Sequence, residues 1–153
     1  MTGRMLASIS IGVVLSAFLI LISKPASAVQ CAPYARSVSG FGLYGAAWTW
    51  WRSADGQYDR GREPEPGAAL VFKKSRGMPS GHVAIVTQVV NSRIIMVEHA
   101  NWSRIGGKKG RVEKHVAVVD ESPANDWSEV RVWYGPVHDY GTRIYPVYGF
   151  IYR

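Results

Sequence analysis

Cys31 is the single cysteine of a 153-residue chain, set in Val29-Gln30-Cys31-Ala32-Pro33-Tyr34-Ala35-Arg36 just behind an apolar leader. In an exported protein cysteine ordinarily forms disulfides, and one cysteine has no partner within its own chain. That leaves a thiol available as a nucleophile. The reactive form is the thiolate, and a helix N-terminus at Cys31 favours negative charge and lowers the thiol pKa. Backbone N–H groups at the same helix start can face an oxyanion, as acyl transfer requires. Such a nucleophile needs a base, and the base needs a third group to orient it. The chain offers His82, His99, His115 and His138. His82 opens an apolar strand straight after Met78-Pro79-Ser80-Gly81, which puts its imidazole at a sheet end where a helix N-terminus can meet it. The other three histidines read as strand or loop residues.

These residues need elements to hold them. Pro33 fits the first turn of a helix, where its missing donor costs nothing, and Gly40 ends that helix after Ser39. A second helix is predicted from Tyr44 or Gly45 to Arg52, broken by Ser53-Ala54-Asp55-Gly56. The turn cluster Glu63-Pro64-Glu65-Pro66-Gly67 then feeds a strand over 68–72. Further strands follow over 81–90 and 93–99, joined at Asn91-Ser92, and over 111–119, 129–134 and 147–152. Strands at this spacing with tight turns imply an antiparallel sheet. His82 to Val86 is apolar on both faces, the pattern of a central strand. Two helices followed by a run of strands make the fold class α+β. No repeat, linker or low-complexity tract divides residues 29–153, which read as a single domain.

The leader sets the compartment. Arg4, an apolar run from Met5 to Ile22, and Ala26-Ser27-Ala28 describe a secretory signal cut after Ala28, so that the protein is periplasmic or secreted. The alternative is an uncleaved anchor, since the run approaches the length that spans a bilayer. Gln30 before Cys31 is too large and polar for lipoprotein processing. The full chain carries +7, and removing Arg4 and Lys24 with the leader leaves 16 basic and 11 acidic residues, a net +5. The basic residues are scattered apart from Lys108-Lys109 with Arg104 and Arg111, and a solvated surface is the better reading of them than a nucleic-acid face. The histidines lack metal-ligand spacing, which argues against zinc. Trp48, Trp50 and Trp51 share one predicted helix and read chiefly as core, with one ring free to line a groove.

Four blocks in order carry a resemblance. Gln30-Cys31-Ala32-Pro33-Tyr34-Ala35, Pro66-Gly67-Ala68-Ala69-Leu70-Val71-Phe72, Ser80-Gly81-His82-Val83-Ala84-Ile85-Val86 and Glu98-His99-Ala100-Asn101-Trp102 together resemble the CHAP domain family. These are cysteine- and histidine-dependent amidohydrolases and peptidases, related to the NlpC-type cell-wall peptidases on a papain-like fold. The resemblance implies that Cys31 attacks an amide carbonyl, while His82 activates it and protonates the leaving amine. It implies a peptidoglycan or cell-wall peptide substrate, cut either between sugar and stem peptide or within the peptide. Some members bind calcium through acids just before the cysteine; no acid stands there, and no cofactor is expected. A monomer without nucleic-acid or lasting membrane partners fits this reading. A catalytically silent cell-wall binding module of the same fold is the alternative.

The resemblance also implies a polar residue on the strand after His82 that holds its ring. If Asn91-Ser92 is a two-residue turn, Val90 pairs with Arg93, His82 faces Asn101, and Glu98 points to the opposite face. A longer loop or a bulge moves Glu98 onto the face of His82. Glu98 is the favoured orienter and Asn101 a supporting or alternative one. Gln30 is a candidate donor to the oxyanion, and Trp102 a candidate shield of His82 from water.

Overall fold

The computed structural model describes residues 28–153, so the leader expected to be a signal or anchor lies, up to Ser27, outside the described residues. No helix among the described residues is long and apolar enough to cross a membrane. The fold is α+β, with few helices and a sheet-rich core.

Helix α1 (Cys31–Ser39) has Pro33 in its first turn and buries Ala32 and Ala35. Gly40 ends it in the left-handed region at φ 75°, its N–H bonded to the Arg36 carbonyl at 2.9 Å. The second helix is shorter than its sequence pattern suggests. A 3₁₀ turn over Ala47–Thr49 leads into α2 (Trp50–Ser53), and the chain before it is irregular. Gly45 sits at φ +85°, which a right-handed helix cannot include, and the Trp48 N–H bonds the Ser80 carbonyl at 3.2 Å instead of a helical partner.

Eight strands follow: β1 (Arg60–Gly61), β2 (Ala69–Phe72), β3 (His82–Asn91), β4 (Ile94–Ala100), β5 (Val112–Asp120), β6 (Glu129–Tyr134), β7 (Asp139–Tyr140) and β8 (Tyr145–Ile151). They form one antiparallel sheet in the order β1-β8-β2-β3-β4-β5-β6-β7. Strand β6 also pairs with β8, Val130 opposite Tyr145, so β8, β2, β3, β4, β5 and β6 close into a barrel-like ring. Alternation along the strands then sorts two cores. Leu70, Phe72, Ala84, Val86, Ile95 and Val97 fill the interior with Trp102, Trp127 and Phe150. Ala69, Val71, Val83 and Ile85 point outward, where Ala32, Ala35, Phe41, Leu43 and Trp50 cover them. Trp50 is therefore core, whereas Trp51 stacks on Tyr148 at a centroid distance of 5.8 Å.

The β3–β4 hairpin departs from the expected turn. Ser92 and Arg93 form its tip, Asn91 pairs with Ile94, and the Asn91 side-chain oxygen accepts the Arg93 N–H at 2.9 Å. Two register shifts further along cancel this displacement, so Ile85 stands opposite Glu98, the pairing that a turn at Asn91-Ser92 requires.

Gly81 delivers the chain into β3 at φ +63°, where an added Cβ would lie 2.7 Å from the Trp48 Cβ and 2.8 Å from the Phe72 carbonyl oxygen. Gly56 has a similar φ of +72° with nothing within 4 Å of such a Cβ. Backbone strain alone makes Gly56→Ala cost about 1 kcal/mol. Gly81→Ala adds a clash with backbone and is expected to cost roughly 3 kcal/mol. Denaturant unfolding of the two variants checks the difference, and equal losses would refute the close-approach account.

Candidate active site

Cys31 and His82 come from different layers and meet at one end of the ring. Helix α1 lies on the outer face of β3 and starts at Cys31, while His82 is the first residue of β3 and points inward with Ala84 and Val86. Both line one cleft of about 400 Å³, whose floor and rim include Gly81, Asn101, Trp102 and Tyr145. Gln30 carries no side-chain cap for α1, so the first helical N–H groups remain available, and those of Val83, Ala32 and Cys31 reach the thiol. No hydrogen bond joins Cys31 to His82 among the described residues, which suits a resting site that tightens around substrate.

The third group is not the one expected. Glu98 makes no contact with His82: opposite Ile85, it points outward, accepts the Tyr34 hydroxyl at 2.9 Å and lies 3.8 Å from the Lys114 ammonium. Its neighbour His99 takes the inward face instead. His82 Nε2 and His99 Nδ1 are 2.9 Å apart, and both residues are buried, with 3% and 1% of their surface exposed. The parity of β4 contained this result, because residues on the face of His82 at its end of the strand are 99 and 101, not 98. Asn101 leaves the strand at φ 65° and donates its amide to the Gln30 side-chain oxygen at 2.9 Å, away from the imidazole. That bond leaves the Gln30 amide nitrogen as a donor on the cleft.

Beyond His99 stands a carboxylate that sequence reasoning missed. His99 Nε2 is buried without a hydrogen-bond partner and lies 3.9 Å from Glu113 Oε2, which accepts the Ser103 N–H at 2.8 Å. The carboxylate favours a proton on the His99 nitrogen that faces it. His99 Nδ1 is then an acceptor, His82 Nε2 the donor, and His82 Nδ1 carries the lone pair. This tautomer leaves His82 Nδ1 free to accept a proton. Trp102 covers the pair, its ring 4.8 Å from His82 and 5.5 Å from His99, with Phe72 against the other edge.

Burial governs the charges. It holds His82 well below the ordinary imidazole range, helped by the neighbouring His99 and by Lys109, and it pushes His99 down to about 3. Burial also raises the Cys31 thiol, against the lowering that a helix start alone would give, and the N–H groups of Val83, Ala32 and Cys31 offset it only in part. The resting pair is thiol and neutral imidazole. Among the described residues no group of three or more His, Cys, Asp or Glu could hold a metal ion.

The CHAP domain family model matches residues 23–101, just over half of the chain. The chain belongs to the CHAP domain family. CHAP domains are in general cysteine- and histidine-dependent amidohydrolases, which supports a hydrolase. No curated protein matches the chain. The matched span of the CHAP domain covers Cys31, His82 and His99 and ends at Asn101, so Glu113 and the far wall of the cleft lie beyond it.

Two measurements follow from the charges. Alkylation of Cys31 by iodoacetamide is expected to accelerate with pH and to be still rising at pH 9, because the thiol pKa is raised. A plateau reached below pH 7 would overturn the neutral resting pair. The folded pKa of His99 lies below its unfolded value, so its contribution to stability is full above about pH 6.5 and falls with pH until about 3. The thermal midpoint should drop over that window, and His99→Phe should flatten the drop. A midpoint as acid-sensitive in the variant as in the wild type would refute the assignment.

Proposed function

We propose that this CHAP domain protein is an exported thiol hydrolase that cleaves amide bonds in peptidoglycan. The observation that carries the reading is the single thiol of the chain sharing a cleft with a buried, oriented imidazole. A helix-borne cysteine facing a strand-borne histidine supports a papain-like arrangement. The Ala26-Ser27-Ala28 ending of the leader supports cleavage there and action in the periplasm or outside the cell, by a monomer.

The chemistry runs as follows. Cys31 Sγ attacks the amide carbonyl carbon as its proton passes to His82 Nδ1. His99 Nδ1 accepts the His82 Nε2–H and keeps the ring in register, while Glu113 fixes the tautomer of His99. The oxyanion takes hydrogen bonds from backbone N–H groups at the start of α1 and from the Gln30 amide. His82 then returns its proton to the nitrogen of the leaving amine, and the C–N bond breaks. Water deprotonated by His82 attacks the thioester, releasing the acid and restoring the thiol. Glu98 and Asn101 act through geometry: Glu98 ties α1 to β4 through Tyr34, and Asn101 sets the Gln30 amide.

Purified sacculi incubated with mature protein, followed by mass spectrometry of new ends, tests the reading. Wild type should release amine or carboxyl ends, and Cys31→Ala and His82→Ala should each lose at least about 10³-fold in rate. His99→Ala is expected to lose about 10²-fold. Binding of sacculi without any Cys31-dependent cleavage would sink the hydrolase.

A further inference from the structure

The cleft is lopsided in charge. Arg104 and Lys109, on the loop between β4 and β5, and Arg143, on the loop between β7 and β8, all line it. No aspartate or glutamate does. Among the described residues none of the three cations makes an ion pair, although the molecule uses acids to pair Arg60, Arg93, Lys114 and Arg131 elsewhere. Two of the three, though exposed, are tethered by hydrogen bonds to backbone carbonyls. The Arg104 guanidinium donates to the Gly107 carbonyl at 3.0 Å, and Arg143 donates to the Arg76 carbonyl while its guanidinium lies 5.3 Å over the Tyr145 ring. Tyr145 and Tyr134 add phenols to the same wall. Burial raises the Tyr145 pKa, so its hydroxyl stays protonated and able to donate. Three cations without ion-pair partners and two neutral phenols lining one cleft form the complement of a carboxylate.

We propose that Lys109, with Arg104 and Arg143, binds a free carboxylate of the substrate beside the scissile amide, so that the enzyme selects acidic peptides over their amidated counterparts. The inference rests on the hydrolase reading and deepens it. Lys109 gives the site a reason to couple charge recognition to chemistry. Its ammonium lines the same cleft as His82 and, after burial and His99, adds to what opposes protonation of the imidazole, which Cys31 must bring about during attack. A carboxylate seated on Lys109 cancels that opposition at the moment the substrate is in place. A neutral substrate leaves it standing. Selection therefore shows in turnover as well as in binding.

Two synthetic peptides of stem-peptide type, identical except for one carboxylate or carboxamide next to the cleaved bond, test this. Wild type should favour the acid at least tenfold in kcat/KM, with part of the difference in kcat. Lys109→Met should bring the ratio close to one by losing rate on the acid, and Lys108→Met, a charge removed from the same loop outside the cleft, should keep the preference. Binding of both peptides to Cys31→Ala protein by calorimetry separates the two claims. Sacculus cleavage with no preference for the acid, in turnover or in calorimetry, overturns the carboxylate site and leaves the hydrolase. Lys109-dependent binding of the acid by a protein that cleaves nothing overturns the hydrolase and leaves the site. Failure of both removes both.

Discussion

The hydrogen bond between His82 Nε2 and His99 Nδ1, buried beneath Trp102, is the constraint on which the site depends. Two neutral imidazoles share a single proton in that bond, and its direction decides whether His82 can act as a base at all. If His99 donates, the free nitrogen of His82 carries a hydrogen and cannot accept one from Cys31. The Glu113 carboxylate, 3.9 Å from the far side of His99, selects the productive direction. This selection works only in a dry environment, where a charge at that distance is weakly screened. The ring of strands supplies it. Pairing of β6 with β8 brings Tyr145 against Trp102 and Phe72, and these rings wall the pair off from solvent.

One strand end organises the surroundings of both Cys31 and His82. Glu98, His99 and Asn101 lie at the end of β4, and pleating with a left-handed exit sends their side chains three ways. Glu98 reaches outward to Tyr34 on α1, His99 inward to His82, and Asn101 back to Gln30 beside the thiol. A slip of one residue in β4 would exchange Glu98 and His99 and break all of this at once. The two register shifts near the hairpin tip lie far from the cleft, yet they set which residue faces His82.

This explains how far the sequence could be read. Local signals served well where local physics decides: Pro33 and Gly40 bound α1, and alternating or continuous apolar runs located β2 to β6 within a residue or two. The second helix failed at Gly45, which sits in the left-handed region, and the Trp48 N–H bonds the distant Ser80 carbonyl, a long-range contact that propensity does not record. At the site, Cys31 and His82 stood out because a lone thiol and a strand-opening histidine are unusual in themselves. A turn at Asn91-Ser92 already turned Glu98 away from His82, but a bulge would have brought it back; the choice lay between Glu98 and Asn101, and His99, read as an ordinary strand residue, was passed over. Glu113 and Arg143 carried no local signal, and the cluster of Arg104 with Lys108-Lys109 showed charge without showing that it borders the cleft. Their positions depend on how loops separated by tens of residues fold back over the mouth of the ring, which no periodicity records.

Reading the excess positive charge as a solvated surface likewise missed its distribution, and that distribution has a chemical consequence. A permanent thiolate–imidazolium pair at Cys31 and His82 would invite oxidation and adventitious alkylation, since susceptibility follows thiolate character. Burial here does the reverse, raising the thiol and lowering the imidazole. Lys109 further opposes an imidazolium at His82. A site so arranged is quiet when empty. On the proposed hydrolase reading, its reactivity comes from what enters it: a substrate that displaces water, draws the thiol and imidazole together and brings negative charge to the cations of the cleft. The same features that weaken His82 as a base at rest thus make its strength conditional on the right ligand.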